Sequence, residues 1–304
     1  MRILITGGSG FLGRALSERL QRDGVEVVWV SRDPSHSAPA GIQVLGYDAL
    51  APSLYFDAVV NLAGAGIAER RWSDRRRQLL FESRLGPTRS LMQWIRRCEL
   101  PPKVLLSGSA VGWYGAQDGD APLTEDSDAY DDFSHVLCQV WEEAAMKAVP
   151  LGVPVLLLRT GVVLDPAGGM LRRLLPSFRL GLGGRLGSGS QVMSWIALTD
   201  WVETVRVLLQ RHVSLAGDAP VGPVNLTAPE PASNAEFTRA LGSALARPTP
   251  FTVPTPVLKL ALGKMSTLLL DGQRVIPQRL QQAGFQFRQP RLLPYLQSAL
   301  QPSS

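Results

Sequence analysis

Residues 1–13 read MRILITGGSGFLG, and the fold turns on how that stretch is parsed. Positions 2–6 form a short apolar run rich in β-branched side chains, the composition of a strand. Positions 7–13 then spell G-x-x-G-x-x-G. From Phe11 to residue 21 the apolar side chains Leu12, Ala15, Leu16 and Leu20 recur at helical spacing, and Gly24 stops the helix. Three glycines alone are a weak signal; a strand before them and a helix after them make the stretch a dinucleotide-binding turn. Gly7 permits the tight bend, Gly10 lets the main chain approach a diphosphate, and Gly13 lets the helix lie close on the sheet. Backbone N–H groups and the positive end of the helix dipole then face the anion.

Outward from the turn, a second strand covers 25–30 and ends in Ser31, Arg32 and Asp33. A site for NAD usually places an acid at this strand end to bind the ribose 2′-hydroxyl. Here a hydroxyl and a guanidinium come first, a pair suited to a 2′-phosphate through charge-assisted hydrogen bonds, so the sequence favours NADP(H). The alternative leaves Arg32 in solvent and gives the ribose to Asp33. Asp48, just after the third strand, falls near the adenine or is a turn residue.

Runs at 42–45, 58–62, 104–107 and 155–158 are short and nearly all apolar, with helical stretches at 75–96 and 133–147 between them. Such runs suit parallel strands covered by helices on both faces, and the alternation predicts a doubly wound α/β sheet. After about Leu164 the rhythm changes. Gly168, Gly169, Gly181, Gly183, Gly184, Gly187 and Gly189 punctuate a loop-rich section. A helix at 199–210, a strand at 223–226, a helix at 234–245, proline-punctuated 248–256 and helical stretches at 257–270 and 273–283 follow. The expected architecture is a Rossmann-type doubly wound parallel sheet over 1–164 that also receives about 197–226. A smaller carboxy-terminal α/β lobe, 165–196 with 227–304, lies on the substrate side.

Composition limits what such a chain can do. Of 304 residues, 45% are apolar and 19% charged, which excludes a disordered chain. The net charge of +5 comes from 31 Lys and Arg against 26 acids, and the basic residues are scattered. The one dense patch is Arg70, Arg71, Arg75, Arg76 and Arg77, so no nucleic-acid partner is expected. Cys98 and Cys138 cannot make a disulfide framework, and His36, His135 and His212 stand apart, so no metal is expected. No apolar run approaches the roughly 18 residues of a membrane span. Residues 2–6 already read as a strand rather than a signal peptide, so the expectation is a reduced, cytoplasmic protein, monomeric or homodimeric.

The turn GGSGFLG (7–13), with Val60-Asn61-Leu62-Ala63-Gly64, resembles the extended short-chain dehydrogenase/reductase superfamily of the nucleotide-sugar epimerase type. The segments NLAGAGIAERRW (61–72), SGSAVGWYG (107–115), RTGVVLDPAGGML (159–171), GLGGRLGSGSQVMSWI (181–196) and LLLDGQRVIPQRLQQAGFQF (268–287) narrow the resemblance to the atypical, YfcH-like epimerase branch. It implies a Rossmann-type fold, NADP(H) and a characteristic carboxy-terminal module, but no substrate, since the branch's labels are carried by analogy. Carried over by position, Gly7, Gly10, Phe11 and Leu12 line the diphosphate, and Ser31 and Arg32 hold the 2′-phosphate. Leu62, Ala63 and Gly64 pass beneath the cofactor riboses, and the backbone of Thr160, Gly161 and Val162 lies beside the nicotinamide. Arg84 falls where many extended relatives carry an asparagine.

The family's usual Tyr-x-x-x-Lys pair is missing. Residues i and i+4 share a helix face, so an ammonium there can lower the tyrosine pKa and anchor the ribose. Four residues after Tyr47, Tyr55, Tyr114, Tyr130 and Tyr295 come Ala51, Val59, Asp118, Ser134 and Ala299. Setting Trp141 and Glu142 on the helix that normally carries the pair puts Ser134 and Cys138 in its two places. Ser109 occupies the family's serine position, either beside the substrate oxygen or as a satisfied turn hydroxyl. Tyr114 is the best substitute acid, or an aromatic packed on the cleft. Cys138 reads as a reactive thiol or a small buried residue, and His135 as a surface group. Arg70 and Arg71 can clamp a phosphate or carboxylate and Trp72 can stack on a base or sugar; the alternative is a solvated helix start. Gln191, Ser194 and Trp195 are expected to cap the cleft, and Ala197 stands where relatives often carry a histidine.

The expectation is an NADP(H)-dependent oxidoreductase or nucleotide-sugar-epimerase-like enzyme, acting on a small polar molecule such as a phosphorylated compound or a nucleotide sugar. Hydride would move between the nicotinamide C4 and a carbon held near Ser109. The rival is a catalytically weak NADP(H)-binding sensor or partner-docking protein.

Overall fold

The structure, a computed structural model, describes residues 1–35, 37–117, 121–214 and 220–301; His36 lies outside them. The strands in chain order are β1 (Arg2–Thr6), β2 (Glu26–Ser31), β3 (Gln43–Gly46), β4 (Ala58–Asn61), β5 (Val104–Ala110), β6 (Val155–Thr160), β7 (Val162–Asp165), β8 (Gly184–Leu186), β9 (Val192–Met193), β10 (Trp195–Ala197), β11 (Gly222–Leu226), β12 (Ala232–Ser233) and β13 (Phe251–Val253). Seven of them build one parallel sheet in the order β11-β6-β5-β4-β1-β2-β3, the doubly wound order the alternation predicts.

Its strands are apolar on both faces because both faces are covered. Ile3, Ile5, Val27 and Trp29 meet α1 (Phe11–Arg22) on one side. Leu4, Val28, Val30 and Leu105 meet α2 (Asp74–Ile95) and α3 (Phe133–Met146) on the other. Ser73 caps α2, its side chain accepting from the Arg76 amide. A separate core forms from α4 (Gly169–Arg179), β10, α6 (Asn234–Ala244) and α10 (Leu292–Leu300), with α5 (Leu198–Ser214) returning the chain to the sheet beside α1.

Three readings of the chain's second half need correcting. The section after Leu164 is not merely loop: Gly168 and Gly181 bracket α4, and β7 pairs with β10. The expected helix at 257–270 is broken into α7 (Thr255–Leu262), a 3₁₀ turn at Gly263–Ser266 and α8 (Thr267–Leu270), with Gly263 left-handed at φ 59°. Of 273–283 only α9 (Gln278–Gln282) is helical. The stretch before it runs alongside residues 121–125, with Val275 bridged to Leu123.

That stretch covers the free edge of β11. The Asn225 Nδ2 donates to the Ile276 carbonyl at 3.0 Å, and the Thr227 hydroxyl donates to the Val275 carbonyl at 3.2 Å. The Arg279 guanidinium donates to the carbonyls of Val221 and Pro223. Edge strands left open are templates for association, and this one is closed.

Candidate cofactor and active site

All seven strands point the same way, so their carboxyl ends line one rim. Gly7 bends left-handed at φ 69°, where a side chain would also sit 2.6 Å from the Leu62 carbonyl oxygen. A Cβ on Gly13 would collide with the Gly7 carbonyl oxygen, and one on Gly8 with the Trp29 ring. At Gly10 there is more room, 3.2 Å to the Gly7 oxygen. Gly10 is the N-cap of α1, and no side chain caps the helix or places an acid in its first turn. Orphan amides with a positive helix end are left for an anion.

A cleft of about 610 Å³ opens there, lined by the turn, the end of β2, residues 62–65 and one face of α2. Ser31 and Arg32 line it, and no carboxylate pairs with Arg32 among the described residues. Asp33 is absent from the lining: its carboxylate accepts from the amide and the hydroxyl of Ser35, closing its own turn. Asp48 is exposed and folded over Gly46; its neighbour Tyr47 lines the cleft, its phenol pushed up to about 12 by burial. Tyr47 was not foreseen, nor was the α2 face of Arg75, Gln78 and Glu82, whose spacing of three and four residues is the sequence signal that marks it.

Leu62, Ala63 and Gly64 line the cleft, held from beneath by a fully buried polar set. Thr6 donates to Asn61 Oδ1 at 2.7 Å, Asn61 Nδ2 donates to Thr88 at 2.8 Å and to Ser107 at 3.3 Å, and the Ala63 amide donates to Thr6. Leu12 packs into the core rather than the cleft, and the Phe11 ring lies against Gly168 and Gly169 at the start of α4. The Thr160 hydroxyl donates to the Leu158 carbonyl and accepts from Trp201, while the Gly161 and Val162 amides donate to Leu226 and Ser194.

Ser109 and Tyr114 both belong to a buried polar chain. The Ser109 hydroxyl donates to Glu142 Oε1 at 2.6 Å, and Arg159 makes a two-pronged ion pair with the same carboxylate at 3.0 Å on each prong. The Tyr114 hydroxyl donates to Asn225 Oδ1 at 2.7 Å and accepts from Arg159 at 3.3 Å. Tyr114 is wholly buried, and burial raises its phenol pKa. Its hydroxyl is therefore engaged by internal partners on both sides. Cys138 is buried as well, with its thiol pushed up to about 12, which makes it the inert alternative. His135 is tied through Nδ1 to the Trp113 carbonyl rather than free in solvent. Glu142, Arg159, Asn225 and Glu125 were not singled out from sequence.

The expected substrate residues mostly turn inward. Trp72 is 9% exposed, tilted against Phe133 at 4.6 Å and donating to the Ile67 carbonyl, so it is core rather than a stacking platform. Trp195 is fully buried on Tyr295, Ser194 donates to the Gln273 carbonyl at 2.6 Å, and Gln191 donates to Leu186 and Leu269. These three stitch the chain's second half together, and Gln191 also lines a separate depression with Ser188, Thr255 and Lys259, apart from the cleft at the glycine turn. Arg71 reaches the Leu260 carbonyl, and Arg70 is exposed. No group of three metal-ligating side chains occurs among the described residues, and no helix among them is long and apolar enough to cross a membrane.

Comparison with known proteins places this geometry. Residues 3–221 match the NAD dependent epimerase/dehydratase family, and residues 253–299 match a domain of unknown function, DUF1731. An epimerase family protein of Mycobacterium bovis is 42% identical over 293 residues, covering 94% of this chain and 93% of its own. The crystal structure of human epimerase family protein SDR39U1 with NADPH superposes with a TM-score of 0.86 at 35% identity, over 98% of this chain and 99% of that one. UDP-glucose 4-epimerase of Thermotoga maritima, solved with UDP-glucose, gives a TM-score of 0.75 at 17% identity over 98% and 96%, a likeness of fold. With a nearly full-length relative at 42% identity and a family match over most of the described sheet, the chain belongs to the NAD dependent epimerase/dehydratase family.

Proposed function

We propose that this protein binds NADPH in the cleft and serves as an oxidoreductase or epimerase-like enzyme on a small polar molecule, with phosphorylated compounds and nucleotide sugars as the candidate class. The observation that carries the reading is the chemistry of the cleft's two ends. Uncapped amides of α1 stand at one end, and Arg32, with which no carboxylate pairs among the described residues, stands at the other, while Asp33 accepts from Ser35. A 2′-phosphate matches that donor set, and the human relative's crystal structure with NADPH supports it. Bound NADPH supplies a hydride at the nicotinamide C4.

The chain's own side chains position and polarise. The proton of Ser109 is committed to Glu142, so its oxygen is left to accept, which suits a carbinol hydroxyl better than a carbonyl. With Ser134 and Cys138 in the pair's two positions, no side chain relays a proton, and the proton travels through water or the substrate. A well-placed general acid or base contributes roughly 10²–10⁴-fold, so turnover is slower than in relatives that keep the pair by about that factor.

A second reading, an NADPH-binding sensor with little turnover, is favoured by one observation: the hydroxyls of Ser109 and Tyr114 both donate to internal partners. Fluorescence titration tests the binding. Wild type should take NADPH at least about tenfold tighter than NADH, and Arg32→Ala should erase that preference, as expected when a charge-assisted pair is lost. No NADPH binding at millimolar concentration sinks the proposal. NADPH oxidation on a panel of carbonyl and nucleotide-sugar substrates, lost in Ser109→Ala, supports the enzyme; binding without any oxidation supports the sensor.

A further inference from the structure

The module at residues 253–299 contributes nothing to the lining of the cleft at the glycine turn. It builds a hollow of its own. The depression that Gln191 borders has a volume of about 460 Å³, in the range of small-molecule pockets. Six of the eight residues that line it belong to the module: Thr255, Lys259, Ser266, Thr267, Leu270 and Asp271.

The hollow is held ready by its walls. Gly187 and Gly189 are left-handed, at φ 58° and 76°. A Cβ on Gly187 would sit 2.9 Å from the Thr255 hydroxyl, so the loop closes on α7 because that residue has no side chain. Gln191 straps the two sides together, its Nε2 donating to the carbonyls of Leu186 and Leu269. Thr255 and Lys259 stand four apart on α7 and share a face, and no side chain caps the start of that helix. No carboxylate pairs with Lys259 among the described residues. Ser266 is 4% exposed, and its hydroxyl makes no hydrogen bond among the described residues although it borders the hollow. Buried hydroxyls are normally partnered, so this one marks the place of a partner that the chain does not supply. An ammonium, two hydroxyls and the positive end of a helix make a donor set for a phosphate. Asp271 is the one acid of the lining. A bare phosphate would meet its charge, whereas a phosphate ester keeps the phosphate at the donors and offers hydroxyls to the carboxylate.

We propose that this hollow is a second ligand site, for a phosphorylated sugar or polyol: Lys259, Thr255 and Ser266 bind the phosphate, and Asp271 accepts from hydroxyls of the carbon skeleton. The site shares no lining residue with the cleft and does not depend on the NADPH reading. It adjoins the rim through the two residues that follow Asp271. Gly272 packs on Val192, and the Gln273 side chain donates to the Gly115 carbonyl at 2.7 Å, next to Tyr114.

Calorimetric titration of wild type, Lys259→Gln and Ser266→Ala tests the assignment, with glucose 6-phosphate, glycerol 3-phosphate, inorganic phosphate and glucose as probes. Thermal melting without ligand is the folding control. The better of the two esters should bind wild type at least about tenfold tighter than inorganic phosphate or glucose. Lys259→Gln should weaken that ester about tenfold or more, and Ser266→Ala about three- to tenfold, while NADPH affinity stays within about twofold. Saturating 2′,5′-ADP, which carries the phosphorylated adenosine of the cofactor, should leave the ester's affinity unchanged. The proposal is overturned if neither ester binds wild type at about 10 mM, if Lys259→Gln binds as wild type does, or if 2′,5′-ADP displaces the ester and so places it in the cleft. If Ser266→Ala does not fold, Lys259→Gln, at an exposed position, decides. A protein that takes the ester but neither NADPH nor 2′,5′-ADP loses the cofactor reading and keeps this one.

Discussion

Gly10 and Gly13 are glycines for different reasons, and the difference is measurable. A methyl at Gly13 meets the fixed Gly7 carbonyl, so Gly13→Ala should cost about 1–3 kcal/mol of apo stability as the first helix is pushed off the sheet. A methyl at Gly10 has 3.2 Å to the same oxygen and faces the open cleft. Gly10→Ala should therefore melt nearly like wild type while NADPH affinity drops about tenfold or more, because the backbone can no longer close on the diphosphate. Calorimetric melting with cofactor titration separates the two, and a Gly13→Ala protein as stable as wild type would refute the packing account. Both positions were legible because a tight turn is decided by its own few residues. The surroundings of Trp72, Ser194, Trp195 and Tyr114 were not legible, for the opposite reason. Their partners Phe133, Gln273, Tyr295 and Asn225 lie far along the chain, and a ring or hydroxyl looks the same in sequence whether it faces a ligand or the core.

Among the elements, the central strands could be read because their apolar runs admit one solution, cover on both faces. The carboxy-terminal elements could not: α4 hides between glycines, α10 carries a proline in its first turn, and 257–270 looks continuous until Gly263 turns left-handed. How β11 is finished was equally invisible. One carboxylate, Glu125, accepts from the Asn225 amide at 3.0 Å and from the Arg279 amide near the start of α9 at 3.3 Å. Burial raises the Glu125 pKa above its ordinary 4.5 despite those donors. A carboxyl with a raised folded pKa contributes stability below its unfolded pKa and loses it as pH rises through the folded one. Glu125→Gln keeps an acceptor and does not titrate. Its melting temperature should gain on wild type as pH climbs from 4 to 7, and a variant-minus-wild-type difference that stays constant or falls over that range would contradict this account.

At the scale of the whole molecule, one sheet rim gathers the glycine turn, the strand end at Ser31 and Arg32, and Ser109, while the second half of the chain contributes mostly to its own core and to closing the sheet edge. The buried ion pair between Glu142 and Arg159 and the hydroxyls hung on it tie β5, β6 and α3 into one unit, so the residues that look catalytic in sequence are also the ones that hold the sheet to its helices. Among the places where the two halves touch, one is a single aromatic ring at the glycine turn. Phe11 opens the helix that would clasp the diphosphate, and its ring fills the space above Gly168 and Gly169, where α4 begins. Filling the cleft must therefore damp motion on the far side of that ring: with NADPH added, amide deuterium uptake should slow at the first turn of α4 along with that of α1, and uptake unchanged at α4 would show that the two halves breathe independently.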